Sequence, residues 1–137
     1  MSTEASSFEA LDRLAAERRH LAPLILRLAL GAVFLAHAYA KIAVFTLPGT
    51  VAFFQGHGLP GWTAYPVLGV ELVGGVCLIA GFRVRLAALA LLPVMLGALV
   101  PHVSNGWMFS NPGGGWEYVA FLLVALGVQV LLGRGDR

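Results

Sequence analysis

The sequence predicts an all-α, polytopic membrane protein: a bundle of four transmembrane helices, N-in and C-in, with a short interfacial helix between the first two spans. Three observations predict it. The 137-residue chain is 58% hydrophobic and only 12% charged, where soluble domains carry about 25% charged residues. Its apolar residues collect into four blocks, each close to the ~20 residues that cross a ~30 Å hydrocarbon core. Its arginines all lie beside the same ends of those blocks.

The expected organisation is a cytoplasmic N-terminal segment (1–20), a membrane domain (21–133) with spans at about 21–45, 62–81, 86–103 and 116–132, and a cytoplasmic tail (134–137). The opening MSTEASSFEALDRLAAERRH mixes acids and bases before any apolar run and leads into successive spans, so a cleaved signal peptide is not expected. Ser6 followed by Glu9 has capping-box spacing, and Phe8, Leu11 and Leu14 line one side, which predicts a short helix on the membrane surface. Nothing in it suggests a nucleic-acid site.

In the first span, Arg27 is near enough to the interface to snorkel. Prolines 66 and 93 fall inside the second and third spans, where membrane helices tolerate kinks. Cys77 has no partner for a disulfide or a CxxC pair and reads as a small apolar residue. Arg13, Arg18, Arg19 and Arg27 flank the start of span one, Arg83 and Arg85 fill the turn after span two, and Arg134 and Arg137 follow span four. The opposite connections, 46–61 and 104–115, contain no Lys or Arg. The positive-inside rule therefore puts both termini and the 81–85 turn in the cytoplasm.

On the outer side, LPGTVAFFQGHGLPGW predicts a short helix with Pro48 in its first turn and a break at Gly56 and Gly58. SNGWMFSNPGGGW predicts a turn-dense cap; its glycine run lacks the lysine and the strand–helix context of a phosphate loop. Trp62, Trp107 and Trp116 fit an interfacial aromatic belt.

Ionisable groups inside spans face a bundle interior or a wet cavity and mark candidate sites. His37 falls about 12 Å below the outer end of span one and Glu71 about 13 Å below that of span two, at ~1.5 Å per residue. Lys41 sits one turn above His37 on the same face. Gly74 and Gly75 share the face of Glu71, allow close backbone approach and turn that face into the bundle. His102 closes span three; Asn105, Trp116, Glu117 and Tyr118 stand at the outer end of span four or in the cap above it. These residues predict a polar pocket that opens outward, with Glu71, His37, Lys41, His102, Glu117, Asn105, Trp116 and Tyr118 as its ligand-binding or proton-exchanging groups. Each also has a plainer reading as a structural tie, a solvated end group or an anchor, so no residue is assigned as catalytic. No metal site is expected: there is no His-x3-His face and no thiolate cluster. Haem is the weaker cofactor expectation, because His37 and His102 differ in depth by about 10 Å on the helical rise.

The stretches LRLALGAVFLAHAYAKI (26–42), VAFFQGHGLP (51–60), ELVGGVCLIAGFRVRLAA (71–88) and PHVSNGWMFSNPGGGWEY (101–118), in this order and spacing, resemble the DoxX family of small four-helix membrane proteins from about Leu24 to Gly133. Glu71 with Gly74–Gly75, the Gly81-x-x-x-Arg85-x-x-Ala88 turn and Gly115-Trp116-Glu117-Tyr118 carry the likeness. The resemblance implies a bacterial inner-membrane protein of a redox complex, since similar DoxD-type proteins are subunits of a thiosulfate:quinone oxidoreductase. The chain has no dinucleotide fingerprint and no CxxC pair of its own. Three functions then compete: an accessory subunit that binds quinone or another small amphiphile, a non-enzymatic scaffold or assembly factor, and a small proton-coupled carrier. Expected partners are the bilayer, a redox-complex protein and a second copy of the chain.

Overall fold

The computed structural model describes residues 2–133; the tail 134–137, with Arg134 and Arg137, lies outside the described residues. Six α-helices follow in order: α1 (Ser2–Glu17), α2 (Leu21–Tyr39), α3 (Leu47–Gly56), α4 (Ala64–Ala80), α5 (Val84–Leu99) and α6 (Glu117–Leu132). No strand occurs among the described residues. α2 packs on α4, α4 on α5, α5 on α6 and α6 back on α2, which closes a ring of four helices. Leu30, Phe34, Leu78, Leu91 and Leu126 fill its centre. Their spacing follows the helical period, so one stripe of each helix is buried while the opposite side stays apolar and exposed. That pattern suits a helix bundle with lipid as its surroundings.

Two segments, Leu21–Val44 and Gly61–Ala80, are long and apolar enough to cross a membrane, at 24 and 20 residues. α5 and α6 are apolar but have 16 residues each, about 24 Å of helix. α5 ends at Leu99 rather than running to 103: Val100 keeps helical angles (φ −52°, ψ −53°), but Pro101 has no N–H to continue the ladder. Pro66 stands in the first turn of α4, where no intrahelical bond is lost, and Pro93 is interior to α5.

α1 begins at Ser2, so Ser6 lies inside the helix rather than capping it, and Ser7 bonds back to the Thr3 carbonyl at 3.0 Å. From Thr3 to Glu17 all its residues are exposed, Phe8, Leu11 and Leu14 included.

The closest helix contact joins α2 to α4. A Cβ placed on Gly31 would stand 2.9 Å from the Gly75 carbonyl oxygen, and one on Gly75 would stand 3.3 Å from that of Gly31. Gly74 faces the other neighbour, with Leu91 of α5 at 3.1 Å from its would-be Cβ. At the end bearing the Gly81–Arg85 turn, Gly81 closes α4 in the left-handed conformation (φ 75°), with the Arg27 guanidinium packed against it. Arg85 Nε donates to the Val130 carbonyl at 3.0 Å, beside the Gly133 cap of α6. Both arginines thus neutralise helix C-termini, where the backbone dipole favours cations.

One substitution type should separate packed from open glycines. Gly31→Ala should lower stability by about 1–3 kcal/mol through overpacking. Gly69→Ala, on an α4 face with nothing within 4 Å, should raise it by roughly 0.5–1 kcal/mol through helix propensity. Thermal unfolding in detergent, followed by tryptophan fluorescence, reads both signs.

Candidate functional site

At the end of the ring away from the Gly81–Arg85 turn, the helices enclose a cavity of about 440 Å³. Side chains from α2 to α6 line it: Phe34, Phe53, Phe54, Phe109 and Tyr118 supply aromatic walls, and Leu59, Val67, Met95 and Leu122 add aliphatic ones. Pockets of this size hold small organic molecules. Among the described residues, its polar side chains are His37, Lys41, Thr63, Glu71, His102 and Tyr118.

The floor is an ion pair. Lys41 Nζ donates to Glu71 Oε1 at 2.9 Å and lies 2.8 Å from Oε2. The second contact is electrostatic only: Oε2 is buried without a well-directed donor. The Lys41 side chain keeps 18% of its surface accessible against 5% for Glu71, so the lysine is the more accessible partner of the pair. Lys41, rather than His37, is the partner of Glu71 because helical side chains lean toward their own N-termini. α2 and α4 run in opposite directions, so the longer lysine leans down while Glu71 leans up.

Local backbone sets this lysine. α2 continues as a π-helical turn, Ala40–Val44, a rare geometry common at functional positions. The Thr50 hydroxyl of α3 lies 3.0 Å from the Lys41 carbonyl and 2.9 Å from that of Thr46, and shares its proton between them. Thr46 caps α3 by accepting from Gly49 N at 3.2 Å, at φ 65° and ψ 159°, a region unfavourable for a β-branched residue. α3, with Phe53 and Phe54, is therefore anchored to the carbonyl of the residue whose ammonium forms the floor.

His37 lines the cavity with Nδ1 2.8 Å from the Val33 carbonyl and its ring stacked 6.2 Å from that of Tyr118. Tyr118 meets Phe109 edge-on at 5.7 Å. His102 lines the upper wall, with Nδ1 2.9 Å from the Gly114 carbonyl. The cap over it is hydrogen-bonded throughout: Asn105 Nδ2 donates to the carbonyls of Pro101 and Gly114, both at 3.0 Å, and Asn111 Nδ2 to that of Asn105.

Of the eight expected site residues, the structure brings Glu71, His37, Lys41, His102 and Tyr118 to the cavity and leaves three outside its wall. Asn105 spends its amide on the cap. Glu117 accepts from the Phe109 N–H at 2.9 Å and borders a separate shallow recess. Trp116 is exposed at the N-cap of α6. His57 is exposed and packs on Phe53, with ring centroids 4.3 Å apart. Sequence reasoning passed over Thr50 and Gly31. Thr50 carried no charge to flag it; Gly31 and Ala38, small residues two turns apart on α2, were a readable sign of close packing. No group of three or more metal-ligating side chains occurs among the described residues.

Comparison with known proteins adds three findings. The DoxX family model matches residues 22–105, so it spans α2 to the start of the cap and stops short of α6. A curated relative from Bacillus subtilis (strain 168), named "Putative oxidoreductase CatD", is 32% identical over 77 residues, 56% of this chain and 56% of its own length. The matched region thus spans little more than half of that relative. No solved structure matches the chain.

The ion pair makes an asymmetric prediction. Lys41→Met alone or Glu71→Gln alone should cost at least about 1 kcal/mol, toward the ~3–5 kcal/mol lost when one partner of a fully buried pair is removed. The double variant should recover part of that loss, because no uncompensated charge remains. A double-mutant cycle of unfolding midpoints measures the coupling.

Proposed function

The chain belongs to the DoxX family, and from that premise we propose that it is a subunit of a membrane redox system whose cavity holds a quinone or a similar aromatic amphiphile. The observation that carries this reading is an aromatic-walled, apolar cavity of about 440 Å³ that ends on the Lys41–Glu71 pair. Its walls suit a planar ring, and the Lys41 ammonium suits a ring oxygen. Glu71 and His37 stand near enough to that oxygen's place to exchange protons as the ring changes redox state. The name of the Bacillus relative points to the same class of chemistry. With no CxxC pair in the sequence, and with its one G-x-G-x-x-G stretch (56–61) following a helix rather than a strand, electrons would come from a protein partner.

The same reading places the chain in a bacterial inner membrane as four spans, with α2, α4, α5 and α6 crossing and both termini inside. Its supports are the arginines at the Gly81–Arg85 end and the absence of Lys and Arg from 46–61 and 104–115. α5 and α6 are short for a ~30 Å core, a mismatch that local thinning or snorkelling flanks accommodate. On this topology the cavity opens toward the outer half of the membrane.

Two experiments bear on it. Alkaline phosphatase fused after residue 57 or residue 110 should be active, and a fluorescent protein at the C-terminus should fluoresce in the cytoplasm; the inverse pattern overturns the topology. Organic extraction of purified protein should recover a quinone or related amphiphile, and Ala98→Trp, which fills the cavity from α5, should reduce that yield at least about tenfold, the effect of losing ~1.4 kcal/mol of binding. Equal recovery from the filled variant, or none from the natural protein, counts against the reading.

A further inference from the structure

The polar atoms on the cavity wall are mostly acceptors. His102 Nδ1 lies 2.9 Å from the Gly114 carbonyl and His37 Nδ1 lies 2.8 Å from that of Val33. A carbonyl oxygen can only accept, so each Nδ1 carries the proton, and in a neutral imidazole the lone pair is then on Nε2. The Thr63 hydroxyl gives its proton to the Pro60 carbonyl and keeps only lone pairs for the cavity. On the donor side stand Lys41, partly committed to Glu71, and the Tyr118 hydroxyl, which can act either way.

We propose that this cavity selects a hydroxyaryl ligand, a phenol or hydroquinone, over the corresponding carbonyl form. The proposal rests on the reading of the cavity as an amphiphile site and adds the oxidation state it prefers. A hydroxyl can accept from Lys41 and also donate to an imidazole Nε2. A quinone oxygen only accepts, so it leaves the lone pair of the partly buried His102 unmatched, the exposed His37 less so, and sites built around a substrate hydroxyl discriminate strongly against analogues without it. The site would therefore hold the reduced form longer than the oxidised one.

The test compares a short-chain hydroquinone, its quinone and its dimethyl ether for binding to the full-length protein in detergent under anaerobic conditions, by titration calorimetry. The hydroquinone should bind at least about fivefold more tightly than the other two, the effect of one net hydrogen bond. His102→Asn keeps a donor for the Gly114 carbonyl, and its shorter side chain withdraws the remaining acceptor, Oδ1, from the place of Nε2. It should shrink the preference to about twofold or less while the dimethyl ether binds as before. His37→Asn serves as a second variant where His102→Asn does not fold. Equal binding of all three probes overturns the preference and leaves the amphiphile site standing. Binding of none to folded protein overturns both.

Discussion

The Lys41–Glu71 pair is the contact on which the open half of the molecule is organised. A lone carboxylate within an apolar helix bundle is costly, and an ammonium alone hardly less so. Held 2.9 Å apart, they neutralise each other and tie α2 to α4. The tie imposes conditions on its neighbours. The chain around Lys41 adopts a π-helical turn, and the Thr50 hydroxyl of α3 donates to the Lys41 carbonyl. The position of α3, and with it two aromatic walls of the cavity, then depends on the same stretch of backbone that carries the ion pair.

The other half of the ring is built on contact rather than charge pairing. Gly31 and Gly75 bring α2 and α4 together closely enough that neither has room for a side chain. Beyond them, Arg27 and Arg85 cover the C-terminal ends of α4 and α6. The same arginines that orient the sequence by the positive-inside rule are therefore also capping groups. Either role alone would account for them, and the two agree because α4 and α6 end on the same side. Not every polar atom is matched: Arg27 Nε is buried without a partner, and Gln129 of α6 is fully buried with both its amide atoms unpartnered among the described residues. Such an amide costs stability that a leucine of similar size would not.

The helical class was legible in the sequence, because long apolar blocks separated by Gly, Pro and Asn leave few alternatives. So was the glycine face of α4, since Glu71, Gly74 and Gly75 fall on one side at helical spacing. The pairing within the site was harder. Comparing depths by helical rise sets His37 level with Glu71, but that comparison tracks Cα positions, and side chains lean about one position along the helix. For antiparallel helices the lean brings together residues whose Cα atoms are offset, which is how Lys41 reaches Glu71. The hydrogen bonding within the cap was harder to read for a different reason. Asn105 and Glu117 look available for a ligand, yet a loop rich in glycine must satisfy its backbone somewhere, and these two side chains do that work.

Thr46 shows how the parts are coupled. Its backbone stands at φ 65° and ψ 159°, which a β-branched residue adopts only when its surroundings insist. Here Gly49 N bonds its hydroxyl, while the amide and the hydroxyl of Thr50 both reach its carbonyl. The corner between α2 and α3 is thus held by hydrogen bonds that converge on a few residues, and one of them ends on Lys41. A molecule in the cavity would touch the Lys41 ammonium on one side and Phe53 and Phe54 on the other. On the proposed reading, it would press on both ends of a single braced unit. A structural ion pair and a cavity-lining lysine are thus not competing descriptions of Lys41: the side chain that ties α2 to α4 is also part of the cavity wall.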